Sequence, residues 1–269
     1  MGERASSLYL EKSTVRFSQP STYNDPFELS PLVRLKRNIP EAISQLSVKL
    51  NGGNGLVKKY EILDENIDEY PFEMKSDWLD GFDSKIGTTC FSYSSSEVPV
   101  NILMWAHYAE SHRGISIQIK DNSEIDDSLT QIKYVGKRPV IDGEYFVENT
   151  EVFLSDLFFK SMHWSYEHEL RMARNLDDCV DLNKEDGYGN NIYVDEIPHS
   201  CIERVVLGVN ASEDLKKLAI RFHNKTNIQV IFTRTSGSGF GFDPYTVLGG
   251  NFGDAQDLFN LYAYETTRT

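Results

Sequence analysis

The stretch from Ile202 to Phe232 restricts the fold of this chain more than any other part of its sequence. Ile202–Gly208 is apolar and β-branched and reads as a strand. Ser212–His223 carries its apolar residues at helical spacing, and Ile228–Phe232 reads as a second strand. Strand, short helix and strand make a β-α-β unit. Ser212 and Asp214 at the helix start supply an N-cap region, where a short oxygen side chain and a negative charge both suit the exposed N–H groups. Beyond this unit, residues 236–269 read as a Gly-rich loop (Ser236–Gly253) followed by a terminal helix, Asp254–Tyr264, showing Leu258, Phe259, Leu261 and Tyr262.

The earlier chain alternates helix and strand signals. Thr14–Ser18 is an alternating strand at the end of the apolar segment Leu8–Ser18, and Asn24–Leu29 is a turn with a short helical start. Residues 34–86 are polar and weakly periodic, broken by Asn51-Gly52-Gly53-Asn54-Gly55, and read as a peripheral insertion of helices and loops. Thr88–Ser92, Ile115–Ile119 and Ile132–Val135 are strands. Pro99–His112 is a helix stopped by Gly114, and Glu151–Phe159 an apolar helix. No repeat and no interdomain linker is visible. The expectation is one α+β domain over residues 1–269: a mixed sheet, peripheral helices and the C-terminal β-α-β unit.

Composition narrows the function classes. The 269 residues are 40% hydrophobic and 12% aromatic, enough for a sizeable core. With 41 acidic against 27 basic side chains the formal charge is −14, which argues against a general nucleic-acid coat or a lipid-surface binder. Cys90, Cys179 and Cys201 are scattered, forming neither a disulfide framework nor a C-x-x-C site, and this fits a reducing cytoplasm. No run approaches the roughly 18 apolar residues of a membrane span, and the N-terminus lacks the apolar core of an export signal. Met1-Gly2 with Ser6 fits the short myristoylation pattern, which bacteria do not use.

Three clusters carry candidate chemistry. In Tyr23-Asn24-Asp25-Pro26-Phe27-Glu28, Asp25 is placed as N-cap, Pro26 as first helical residue and Glu28 as the capping-box partner. A functional reading has the same helix start hold a phosphate or carboxylate. In Met104-Trp105-Ala106-His107-Tyr108-Ala109 and His112-Arg113-Gly114, the aromatics suit a core-facing helix. Arg113 could hold an anion or complement the helix C-terminus. His107 and His112 are five apart rather than four, so no metal site is expected there.

The third cluster is Trp164-Ser165-Tyr166-Glu167-His168-Glu169-Leu170-Arg171. As a strand it puts Ser165, Glu167, Glu169 and Arg171 on one face, the carboxylates about 7 Å apart, and Trp164, Tyr166, His168, Leu170 and Met172 on the other. As a helix, Glu167 and Arg171 are an ordinary i,i+4 pair. Local chemistry favours a solvated face. A paired-carboxylate site with Arg171 stabilising the charged forms is the sharper alternative.

The ordered blocks Phe17-Ser18-Gln19-Pro20, Tyr23–Glu28, Cys90-Phe91-Ser92, Met104–Ala109 and Trp164–Arg171 resemble a large bacterial domain-of-unknown-function family. Members of that family usually begin with an L-Y-K-Y strand, which has no counterpart here. The order of elements, ending on a strand with E-x-E, is also similar to ADP-ribosyltransferase-type toxins. That resemblance implies NAD as substrate and an intracellular bacterial effector, in phage defence or a toxin system, acting on a macromolecular acceptor. It makes Glu169 the carboxylate that stabilises an oxocarbenium ion and Glu167 the acceptor-positioning residue. It compares Ser92 with the S-T-S strand of one subclass; separately, no metal cofactor is expected.

A second expectation is a non-catalytic nucleotide sensor or partner-binding protein lined by Asn24, Asp25, His107, Tyr108, Trp164 and Arg171, with Ser92, Arg113 and Tyr166 as further ligand contacts. A third is a Mg²⁺-dependent nuclease or phosphodiesterase using Asp25, Glu28, Glu167 and Glu169.

Overall fold

The computed structural model describes residues 1–29, 32–34, 46–49, 56–58, 72–73, 85–94, 101–121, 123–142, 151–153, 157–187 and 189–249. In chain order the elements are α1 (Glu3–Lys12), β1 (Thr14–Phe17), β2 (Leu32–Arg34), β3 (Leu46–Lys49), β4 (Leu56–Lys58), β5 (Phe72–Glu73), β6 (Ile86–Ser92), α2 (Ile102–Tyr108), β7 (Ile115–Ile119), β8 (Leu129–Gln131), β9 (Lys133–Val135), β10 (Val140–Asp142), β11 (Glu151–Phe153), β12 (Phe159–Ser161), β13 (Glu169–Asn175), β14 (Val180–Glu185), β15 (Asn191–Glu196), β16 (Ile202–Leu207), α3 (Glu213–Thr226), β17 (Gln229–Thr235) and β18 (Phe242–Leu248). The class is α+β, with several small sheets and few helices.

The chain divides into two compact units: Met1–Val15, Ser94–Asp127 and Glu196–Thr269 in one, Arg16–Tyr93 and Ser128–Asp195 in the other. No Gly- or Pro-rich linker marks the division, so the sequence shows none.

The first unit is built on the sheet β18-β17-β16-β7. β16 and β17 run parallel through α3, giving the β-α-β unit expected from the sequence, while β7 and β18 join antiparallel at the two edges. Ser212 caps α3 by accepting from the Leu215 N–H at 3.2 Å. Leu215, Ala219 and Phe222 form its buried stripe, at the 3.6-residue period of a one-sided helix. Phe222 meets Tyr9 of α1. Val206, Ile231 and Val247 lie in register across three strands and pack with Trp105 of α2 and with Ala109, its C-cap. Helix α2 is shorter than the expected Pro99–His112. Asn101 caps it, and the chain leaves through Glu110, Ser111 and His112, all with positive φ. Gly114 is required by proximity rather than as a stop, since a Cβ there would lie 1.8 Å from the Met1 carbonyl.

The Gly-rich reading of Ser236–Gly253 is corrected in part, because Phe242–Leu248 is the edge strand β18. The expected helix Asp254–Tyr264 lies outside the described residues.

The second unit contains the three-stranded sheets β6-β13-β8, β10-β2-β5 and β11-β3-β4, the pair β12-β9, and β14 with most of β15 and the Arg16–Phe17 end of β1. Two expectations are corrected here. Within the insertion at 34–86, the described segments are short strands rather than helices. The expected helix Glu151–Phe159 has strand at both of its described ends. Glu151–Phe153 pairs parallel with β3, and Phe159 begins β12, parallel to β9. An apolar run such as Val152-Phe153-Leu154 fits either period, and strand pairing decides it. Among the described residues no helix is long and apolar enough to cross a membrane.

Candidate functional site

Glu169–Asn175 is the central strand of β6-β13-β8, and its antiparallel register sets the site. Glu169 lies opposite Ser92, and Arg171 lies opposite Cys90 on one side and Thr130 on the other. Glu169 and Arg171, two apart, therefore share one face with Ser92, Cys90 and Thr130.

Glu167 reaches the same place differently, which corrects the single strand expected from Trp164 onward. Met162–Glu167 is a 3-10 helix, started by the Ser161 side chain accepting from His163 N–H and ended by His168 with φ 44°. That left-handed residue turns the chain into β13. Glu167 and Glu169 then point to a common centre from two elements, while His168 points outward and is exposed. Ser92 fixes the junction, its hydroxyl donating to the Glu167 carbonyl at 2.5 Å.

The Tyr23–Glu28 block also departs from the expected helix start. It is a turn in which the Asp25 carboxylate accepts from the Phe27 N–H at 2.9 Å. Glu28 does not fold back as a capping-box partner. Its buried carboxylate goes to the centre defined by Glu167 and Glu169.

At that centre lies a cation that sequence reasoning missed. Lys160, on β12, places its ammonium 3.0 Å from Glu28 Oε1, 2.8 Å from Glu167 Oε2 and 2.7 Å from Glu169 Oε2. The contact with Glu169 is an ion pair without hydrogen-bond angles, whereas that with Glu167 is a hydrogen bond. Arg171 completes the cluster. Its Nε donates to Glu169 Oε1 at 2.7 Å, and its Nη2 lies 2.6 Å from the same oxygen and 2.7 Å from Glu28 Oε2. The guanidinium also faces the Tyr23 and Phe158 rings, at 4.9 and 5.2 Å from their centroids. Relative exposure is 5% or less for all five charged residues. The one signal for Lys160 is a charge closing the apolar run Leu157-Phe158-Phe159, a position that in a strand can face a polar interior.

Neighbours fix the cluster further. Lys160 pairs in register with Tyr134 of β9, whose hydroxyl accepts from the Glu169 N–H at 2.8 Å. The Tyr23 hydroxyl bonds Thr88 Oγ1 at 2.5 Å, and burial raises its phenol pKa.

The carboxylates respond unequally. Burial dominates at Glu28 and raises its pKa despite Arg171 and Lys160. Burial also opposes ionisation of Glu169, but there Arg171 and then Lys160 outweigh it, so its pKa is lowered. At Lys160 burial disfavours the charge, yet Glu28 and Glu169 hold the pKa above that of a free lysine.

Around the cluster runs a more accessible rim. Trp164 and Tyr166 are half-buried, with ring centroids 6.2 Å apart, and the Lys160 ammonium lies 5.5 Å from the Trp164 centroid. Met162, His163, His168, Ser92, Cys90 and Tyr93 are exposed. Tyr93 joins the rim through its N–H, which donates to the His168 carbonyl at 3.0 Å.

Of the residues expected at a site, the structure brings together Glu167, Glu169, Arg171 and Glu28, with Ser92, Trp164 and Tyr166 at the rim. Asp25 is buried in its own turn and Asn24 is exposed. His107, Tyr108 and Arg113 are exposed and belong to the other unit, where the His107 and Tyr108 rings meet edge to face at 6.3 Å. Among the described residues no group of His, Cys, Asp and Glu is arranged to hold a metal ion. No protein-family profile, curated protein or solved structure matches the chain.

Proposed function

We propose that the protein is a nucleotide-binding sensor that does not consume its ligand. A planar base or nicotinamide ring would stack on the rim formed by Trp164 and Tyr166. The observation that carries this reading is the state of the E-x-E pair. Glu167 and Glu169 are buried and ion-paired to Lys160, and Glu169 also to Arg171. A carboxylate that stabilises a developing oxocarbenium ion must approach the sugar, and one already closed in by cations has no such approach. The half-buried aromatics beside it suit stacking, a contact open to any base.

The test combines melting with NAD turnover. NAD, ADP-ribose and ATP are added at about 100 times a trial Kd, where a ligand bound only to the folded state adds about 2.7 kcal/mol. A melting shift that disappears in Trp164→Ala, with NAD intact, is the expected result. No shift with any nucleotide rejects the reading.

One observation favours a second reading: Glu169 is held ionised, as transfer of ADP-ribose from NAD, or hydrolysis of NAD, requires of its catalytic carboxylate. Here the chain is an intracellular bacterial effector with an ADP-ribosyltransferase-like fold, Glu169 is catalytic and Glu167 positions the acceptor. Consumption of labelled NAD by wild type but not by Glu169→Gln would establish it over the first. Nuclease activity through Mg²⁺ has less support, since the Lys160 ammonium already occupies the space between the three carboxylates.

A further inference from the structure

We propose that Lys160 is the positioning residue of this site, a built-in ammonium that fastens the aromatic rim to the buried sheet. The inference rests on the binding reading above for its ligand but not for its geometry. The carboxylates that Lys160 reaches come from separate pieces of chain: Glu28 from the 25–28 turn, Glu167 from the 3-10 helix, and Glu169 from β13. Lys160 itself stands on β12, immediately before that helix. Its ammonium therefore ties both ends of the segment 162–167, the start through its own backbone and the end through Glu167.

The helix that carries Trp164 and Tyr166 is anchored at both ends, and Ser92 also donates to its Glu167 carbonyl. It is a single short 3-10 segment, whose hydrogen bonds are weaker than those of an α-helix. It is held at its start by Ser161 and at its end by the His168 N–H donating to the Ser165 carbonyl. Met162 and His163 at its start are exposed. The ammonium clamp adds a buried side-chain tether that joins this helix to β13 and to the 25–28 turn. The chemistry also explains the choice of residue. A lysine ammonium is a compact charge, which matches three carboxylates converging on one point, whereas a planar guanidinium fork matches one or two. Arg171, beside it, makes the fork contacts to Glu169 and Glu28.

Such a cage should also accept a free ammonium of the right size. Shortening the side chain while leaving the carboxylates removes the tether but keeps the receptor for its charged end.

The experiment compares wild type, Lys160→Ala, Lys160→Met and Glu167→Gln by hydrogen–deuterium exchange of the peptide covering residues 162–169, without any nucleotide. Exchange in that segment is expected to rise at least tenfold in each variant, while peptides from β6 stay protected. Ethylammonium chloride should restore protection to Lys160→Ala saturably, and sodium chloride at the same ionic strength should not. In parallel, NAD binding is followed by melting shift, expected to weaken at least tenfold in Lys160→Ala and to recover with ethylammonium.

Unchanged exchange at 162–169 in both Lys160→Met and Glu167→Gln overturns the proposal, even if Lys160→Ala fails to fold. Ethylammonium that restores nothing in a folded Lys160→Ala overturns it as well. Localised loosening with amine rescue, in a protein that binds no nucleotide in any form, leaves the clamp standing and refutes only the binding reading.

Discussion

Replacing Arg171 with methionine keeps a chain of similar length and removes the charge from the largest fully buried side chain among the described residues, which is 2% exposed. Three close contacts are lost, two to Glu169 and one to Glu28, along with the stacking against Tyr23 and Phe158. Lys160 still faces Glu28, Glu167 and Glu169. Removing one partner of a buried ion pair typically costs about 3–5 kcal/mol, because the abandoned charge has neither water nor counterion. On the scale of roughly 2–4 °C per kcal/mol for domains of this size class, melting should fall by about 6–20 °C. Differential scanning calorimetry at neutral pH measures this, and urea denaturation followed by circular dichroism checks it. Adding Glu28→Gln and Glu169→Gln to Arg171→Met should recover about half the loss, since the stranded charges go with their partner. A loss below about 1 kcal/mol for Arg171→Met alone, or no recovery in the triple variant, would refute the account of Arg171 as the neutralising centre.

Other outcomes follow from the same geometry. Glu169 has its folded pKa below the ordinary 4.5, so its contribution to stability is present above pH 4.5 and is lost as pH falls through the folded value. Glu28 is shifted upward, so its contribution is full below pH 4.5 and is lost as pH rises through its folded value. Urea denaturation between about pH 3 and pH 8 should show Glu169→Gln flattening the acid limb and Glu28→Gln flattening the decline above pH 4.5. Profiles parallel to wild type would contradict both assignments. Ser212→Ala removes the cap of α3 and should cost about 1 kcal/mol in a melting experiment. Gly208→Ala would put a Cβ 2.2 Å from the His112 carbonyl, so it should destabilise the first unit by at least about 2 kcal/mol, read as loss of amide protection in β16.

What was legible in the sequence follows the range of the interactions. The β-α-β unit could be read because cap, apolar stripe and flanking strands lie within one short stretch. The shared face of Glu169 and Arg171 could be read because it needs only the two-residue period of a strand. Glu167 could not be placed that way: it arrives through a 3-10 helix and a left-handed His168, and that turn has no marker such as glycine. Glu28 meets Arg171 across 143 residues, and its spacing from Asp25 imitates a helix cap. Lys160 was hidden by the run around it, which reads equally as helix. Its partner Tyr134 is set by a parallel pairing that local sequence does not encode. The charge cluster is thus a product of non-local pairing, which is why the residues singled out in the sequence were assigned to a strand surface rather than an interior.

The division of the chain also bears on its synthesis. Residues 16–93 and 128–195 make one unit and all precede Glu196, whereas the other needs residues 1–15, 94–127 and everything from Glu196 on. A chain emerging N-terminus first completes the set holding the charge cluster while α1, α2 and β7 still await β16–β18. The buried ions can be assembled before the ribosome finishes. The stretch kept waiting longest is instead α1, whose Tyr9 meets Phe222 only once the last quarter of the polypeptide has emerged.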